Sequence, residues 1–496
     1  MSKIDEVFID FSLKLVELAD DSVGVDEILK FNTPGIILGI LKEAACGDKT
    51  LDHLSLAICK FSLLHDDVRR SIIQAGGIST CRRLINERKT TRSVIYSLMM
   101  LVSLAQLHEY MANFNKALED VLLLLDNEVE TLSTERSTPL SDAILEYALL
   151  ALCNFIKGND SNRSLVTSSQ VPNHLKIIID KRKDNCRILA AAANLICNAT
   201  YRNQYSSRRF LECQSFSSLV NIISDRPGDS TVDTDLFLGV MMACSNLSND
   251  EAIISTGVID EVGRLLQSCD DAQILKRAAL ACASMSYKST ESRRLFGKSG
   301  CVEALVDIVL RMGLLNESDE EKEDAKAAEA SSWALVALLK DKRNAQILNE
   351  DMEDLKGLVE LYLQTESSQC LIAGAMVISV LLPLQEEKEV LIEEGRKSPV
   401  EYAGGGGVLE RCRDEYQIVQ NVHPSWLTAA LAVVKINEIS GGDTHQCKSG
   451  RDKNDEDEER LAAKLDPVEY FTQDQLFHEI TASVGKDDFL FDLKCD

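Results

Sequence analysis

The chain has 496 residues and a formal charge of −26, from 53 Lys and Arg against 79 Asp and Glu. An acidic excess of that size repels nucleic acid and anionic membrane surfaces at long range, and it either attracts basic partners or simply keeps the surface soluble. Apolar residues make up 45%, enough for a sizeable core, while 8 Pro and 25 Gly are few for a strand-rich protein with many tight turns.

The 15 Cys form no CxxC pair and no Cys/His cluster with zinc spacing, so they read as small core hydrophobes in a reduced compartment. The N-terminus lacks a signal-peptide core, and no uninterrupted apolar run approaches the ~18 residues of a membrane span. The expected location is the cytoplasm, with the nucleus and the cytoskeleton as alternatives.

Residues 1–30 read as a helical N-terminal cap in which Val7, Phe8, Phe11, Leu15 and Leu18 have helical spacing. From 31 to 439 one pattern recurs. An Ala- and Leu-rich helix ends in a stretch such as Ala57-Ile58-Cys59-Lys60-Phe61, Ala151-Leu152-Cys153-Asn154-Phe155 or Ala243-Cys244-Ser245-Asn246-Leu247. A short polar stretch follows. In the clearest cases there is then a segment Arg-x-Ile/Phe-x-x-x-Gly, as at Arg70–Gly76 and Arg294–Gly300. Another apolar helix comes next, such as Val302 to Leu310.

Alignment of these units puts Lys60, Ser103, Asn154, Asn198, Asn246, Ser284, Ala337 and Ser379 at equivalent positions, at intervals between 38 and 53 residues. That scatter surrounds the roughly 40–47-residue period of armadillo and HEAT units. The longer intervals imply insertions, among them an acidic insert near 316–330, and a Gly-rich loop occupies 396–407. A final helix is expected from Ser425 to Ile439. Residues 440–460 form a charged linker with too little apolar area to pack, and 461–496 mix acids with Tyr470, Phe471, Phe477, Phe489 and Phe491.

On these marks, residues of about 30 to 440 resemble the armadillo-repeat family. The resemblance implies an all-α, right-handed solenoid of armadillo/HEAT-like repeats, about eight to nine of them. Each unit would have a short first helix and two longer ones, the third lining a groove. In that family an Asn of the third helix hydrogen-bonds the backbone of an extended peptide. Carried over by alignment, the groove positions are Asn154, Asn198, Asn246 and Ser284; the alternative for the Asn is that they cap helices or satisfy neighbouring carbonyls. The importin-α type pairs this Asn with a Trp one turn earlier; here Leu150, Asn194 and Met242 stand at those places, which argues against classical nuclear-signal binding.

No GxSxG, phosphate loop or HExxH occurs, and the seven His lack consistent acidic or Cys neighbours. The expectation is a non-enzyme with no cofactor and no metal. It would be a protein-binding adaptor or scaffold for extended or basic segments of partner proteins, without nucleic acid or membrane ligands. Alternatives are a regulator or exchange factor of small GTPases that binds their basic tails, and a cytoskeletal or axonemal armadillo protein. The recurring Arg70, Arg163, Arg209, Arg294 and Arg343 read as helix caps or partners of local acids, with a basic face for acidic peptides as the second reading.

Overall fold

Leu, Ala and Glu favour helices, and the described residues hold helices and no β-strand. The structure, a computed structural model, describes residues 25–43, 47–133, 139–226, 234–312 and 319–350, with Lys14 and isolated positions between 354 and 377. Most of the expected N-terminal cap, the helix at 425–439, the Gly-rich loop, the charged linker and the segment 461–496 lie outside the described residues. The chain divides into two compact units, Met1–Asp270 and Asp271–Asp496.

In the first unit the helices come in threes. They are α1 Val25–Lys30, α2 Thr33–Glu43 and α3 Asp48–Leu64; α4 Asp66–Gln74, α5 Gly77–Glu87 and α6 Thr91–Leu104; a 3-10 turn His108–Phe114, α7 Asn115–Ser133 and α8 Pro139–Ile156; α9 Asp160–Ser168, α10 Val171–Lys181 and α11 Cys186–Thr200; α12 Gln204–Glu212, α13 Ser215–Ser224 and α14 Thr234–Leu247. A 3-10 turn Glu251–Thr256 and α15 Val258–Ser268 follow. Two layers result. Third helices stack in series, α3 on α6, α6 on α8, α8 on α11 and α11 on α14, and second helices do the same from α2 to α15. The short first helices, such as α4 and α9, touch both layers.

The second unit holds α16 Ala272–Lys288, α17 Thr290–Lys298, α18 Cys301–Met312, α19 Asp319–Leu338 and α20 Lys342–Glu350. Here α16 and α18 pack on α19, and α17 packs on α18 and α20. The acidic insert expected near 316–330 is, from Asp319 onward, no loop but the first half of α19. Glu323 and Lys326 pair at 2.7 Å one turn apart, and Glu323 also approaches Lys276 of α16 at 3.8 Å, so this acid is accommodated on a helix.

Several turns from a third helix into the next first helix share their chemistry. A polar residue caps the new helix: Asn159 accepts from the Asn162 N–H, Asn203 from Ser206 and Ser289 from Ser292. Within that helix a second side chain reaches back to a carbonyl at the end of the preceding one. Arg69 Nε donates to Ser62 O at 2.9 Å, Asn162 Nδ2 to Phe155 O at 3.0 Å, Arg293 to Ser286 O at 2.7 Å and Asn344 Nδ2 to Leu338 O at 3.1 Å. The last carbonyls of a helix lack intrahelical donors, and these clamps supply them.

Ile72, Val166, Phe210 and Phe296, the apolar positions of the recurrent motif, are 0% exposed and anchor the first helices in the core. The break into the second helix needs a left-handed residue: Gly76 has φ 87, Gly257 φ 81 and Gly300 φ 77, with Gln214 at φ 59 in the same place.

Asn162→Ala leaves the buried Phe155 carbonyl without its donor. The expected loss is about 1–3 kcal/mol, read as a lower urea midpoint with an unchanged slope. In the second unit, burial raises the Glu329 carboxyl above its ordinary value, with Lys276 and Lys326 opposing. A raised acid contributes stability below its unfolded pKa and loses that contribution as pH rises through the folded value. Glu329→Gln should therefore be more stable than the parent at neutral pH, with the gap narrowing as the buffer is taken down into the ordinary carboxylate range.

Candidate protein-binding face

Three consecutive third helices of the first unit are buried on every side but one. In α11, Ile188, Leu189, Ala191, Ala192, Ala193, Leu195, Ile196 and Cys197 are all buried. Beyond Ile188, half-exposed residues stand only at Ala190, Asn194 and Asn198, four apart and so on one stripe. The stripe of α8 includes Glu146, Leu150 and Asn154, and that of α14 includes Leu238, Met242 and Asn246. Gly239 of α14 lets the two backbones approach, since a Cβ there would stand 3.1 Å from Asn194 Oδ1.

The asparagines form a ladder. Asn154 Nδ2 donates to Val102 O of α6 at 3.0 Å, and Asn246 Nδ2 to Cys197 O of α11 at 2.9 Å. Asn198 Nδ2 lies 3.4 Å from Cys153 O and 2.9 Å from Cys153 Sγ of α8. Each amide thus reaches the residue just before the equivalent position of the preceding unit. Ser103 Oγ makes a related bond, to Ser62 O of α3 at 2.6 Å. None of the three carboxamide oxygens receives a hydrogen bond from a described residue. The amide nitrogen fixes the side chain, and the oxygen keeps some access to solvent at a half-buried residue.

The fourth aligned residue, Ser284 of α16, lies in the second unit. It is only 8% exposed, and every residue from Ile274 to Ser286 around it is buried. The structure therefore brings Asn154, Asn198 and Asn246 together on one face, while Ser284 is buried within the other unit. What the sequence concealed is the inter-repeat use of the amide donors. Alignment shows equivalent positions but not which group each one touches.

The face is electrostatically quiet. Burial raises the Glu146 carboxyl against the pull of Arg187, raises Asp235, and lowers the Lys157 ammonium. It pushes the Cys153 thiol up to about 11, partly offset by the Asn198 amide, so this sulfur is a neutral acceptor at physiological pH. The middle positions Leu150 and Met242 are apolar.

The repeated arginines are mostly taken up by local acids. Arg70 pairs with Asp67 at 2.8 Å and Glu109 at 2.9 Å, Arg163 with Asp160 at 2.8 Å, and Arg343 with Asp341 at 2.9 Å. Arg294 pairs with Glu291. Elsewhere, a depression of about 370 Å³ between α12, α13 and the 3-10 turn at Glu251–Thr256 is lined by Glu212, Gln214, Ser217 and Thr256, among others, with no His or Cys. Among the described residues no three His, Cys, Asp or Glu converge as a metal site. By length and apolarity α8 alone of the described helices could cross a membrane, yet it packs on α6, α7 and α11.

No protein-family profile and no curated protein matches this sequence. Solved structures do share its fold. One is an engineered protein, at 16% identity and a TM-score of 0.63, covering 89% of this chain and 97% of the other. A second comes from a structure concerned with a conserved phosphorylation switch that controls the interaction between cadherin and beta-catenin, at 15% identity and a TM-score of 0.53, covering 86% of this chain and 82% of the other. The fold is that of an armadillo-type helical solenoid.

Proposed function

We propose that the chain is a protein-binding adaptor without catalytic activity, and that the face of α8, α11 and α14 grips an extended segment of its partner. The solvent-accessible carboxamide oxygens of Asn154, Asn198 and Asn246 carry this reading. Packed helices lie about 8–10 Å apart, and an extended chain advances about 3.3 Å per residue. A segment laid across the three helices would meet one fixed acceptor at about every third residue, which suits recognition of backbone N–H groups. Leu150 and Met242 would take its apolar side chains. Ser284, buried in the other unit, has no part in this reading. We assign the protein to the cytoplasm, in keeping with the reduced compartment that the scattered cysteines of the sequence suggest.

Because the amides also hold neighbouring carbonyls, Asn→Ala costs stability as well as binding, and a second variant is needed. Leu150→Glu with Met242→Glu charges the face while leaving the ladder intact. A peptide array should yield extended binders whose affinity drops about tenfold or more in this double variant, with the melting temperature little changed. Amides of α8, α11 and α14 should gain exchange protection on binding. Binders indifferent to both the Leu150/Met242 and the Asn154/Asn198 variants would sink the proposal.

A further inference from the structure

We propose that the corner joining α11 to α12 is a docking point for an acidic segment of a protein partner. The stretch Tyr201-Arg202-Asn203-Gln204-Tyr205-Ser206-Ser207-Arg208-Arg209 contains three Arg and no Asp or Glu, in a chain whose net charge is −26. Its aromatic rings face solvent: Tyr201 is 38% exposed and Tyr205 61%. Arg202 is exposed, with its guanidinium 5.3 Å from the Tyr201 ring. Tyr205 and Arg208 are three apart on α12 and share a face, and Arg209 lies four from Tyr205.

Three Arg pairs stand within first helices, and the other two are used internally. Arg69 is held by Asp66 and Ser62 O, and Arg70 by Asp67 and Glu109. Arg293 binds Ser286 O, and Arg294 binds Glu291. The pair Arg208-Arg209 is different. The nearest acid to Arg208 is Asp250 at 3.9 Å, with the Arg208 side chain 65% exposed, and Asp250 is already engaged in capping through the Ala252 N–H at 3.1 Å. No described carboxylate pairs with Arg202 or Arg209. Such an exposed pair contributes little within the molecule. Three cations beside two exposed phenol rings leave donors and a stacking surface open to a ligand that supplies carboxylates and apolar contact.

A protein segment fits better than a nucleic acid, because the field of the whole chain opposes a long polyanion while a few carboxylates meet the corner at close range. Tyr201 follows Asn198 by three residues at the end of α11. A segment lying on the third-helix face can therefore run into the corner, and an acidic residue near its end would complete it. This inference rests on the protein-binding reading above and adds a charge requirement to it.

The test uses the full chain at low ionic strength and fluorescence anisotropy. The probes are a labelled short peptide alternating Glu with Leu and Tyr, the same peptide with Gln for Glu, one with Lys for Glu, and labelled oligothymidine. The Glu peptide should bind about tenfold more tightly than the Gln peptide, with the preference falling as salt is added, and the Lys peptide should bind least. Arg202→Glu with Arg208→Glu should erase the preference while circular dichroism and melting stay unchanged. Arg202→Lys with Arg208→Lys should retain part of it.

Asn154→Ala with Asn198→Ala should weaken the Glu and Gln peptides alike and leave their ratio intact, which separates failure of the face from failure of the corner. Equal affinity for Glu and Gln peptides, no saturable binding of the Glu peptide, no effect of the charge reversal, or oligothymidine binding at the corner in preference to the peptide would each overturn the proposal.

Discussion

A helix such as α11, apolar around all but one stripe, has no stable place in water by itself. Its flanks have to be covered by the third helices before and after it, and its underside by the second-helix layer. Each unit in the middle of the array is therefore stabilised by its neighbours more than by its own contacts. The exposed stripe follows from the same constraint. Once two flanks and the base are covered, one line of positions four apart is left, and in three successive helices that line runs to an Asn. The proposed binding face is in this sense what remains when the stacking requirement has been met.

Close stacking also buries the carbonyls near the ends of the third helices, and unpaired buried carbonyls are costly. The chain meets that cost with side chains from the following unit: Asn154, Asn198 and Asn246 within the third-helix layer, and Arg69, Asn162, Arg293 and Asn344 at the corners. Asn suits the layer because it is bifunctional. Its amide N–H points inward to the preceding helix while its oxygen keeps an acceptor for something outside. Ser103 performs the inward part with one hydroxyl proton and exposes little, being buried. Scaffold and recognition thus share single residues, so loss of an Asn has to be read in stability and binding together.

Much of this was legible in the sequence, because periodic apolar runs and glycines that break helices have simple physical causes. The three-helix unit and the groove positions Asn154, Asn198 and Asn246 come from the family resemblance, while the apolar runs and the glycine breaks at Gly76 and Gly300 follow from spacing. Hydrogen-bond partners in the neighbouring unit do not, since nothing local distinguishes an Asn that reaches across from one that caps its own helix. The acidic stretch before Ala330 misled for a related reason. A run of Glu and Asp reads as a loop insertion, whereas from Asp319 onward it is helical, with Glu323 beside Lys276 of α16 and Lys326 of its own helix. The buried surroundings of Ser284 had no sequence signature, since Ser is common both in cores of closely packed helices and on surfaces.

Charge adds a last step. Total charge describes how the molecule repels at a distance, whereas recognition depends on which charges remain unpaired at close range. Most arginines of the repeat corners are neutralised by an acid about one turn away, so their recurrence in the sequence overstates the positive surface they create. The third-helix face is equally muted, with Glu146 opposite Arg187 and an apolar middle in Leu150 and Met242. On the proposed reading, such a face would select an extended backbone with apolar side chains rather than a basic tail. Where cations do stand free, beside Tyr201 and Tyr205, they favour the sign of charge that the chain as a whole repels. A ligand held there would have to be short or sparsely charged, with the distant repulsion setting an upper limit on how acidic it can be.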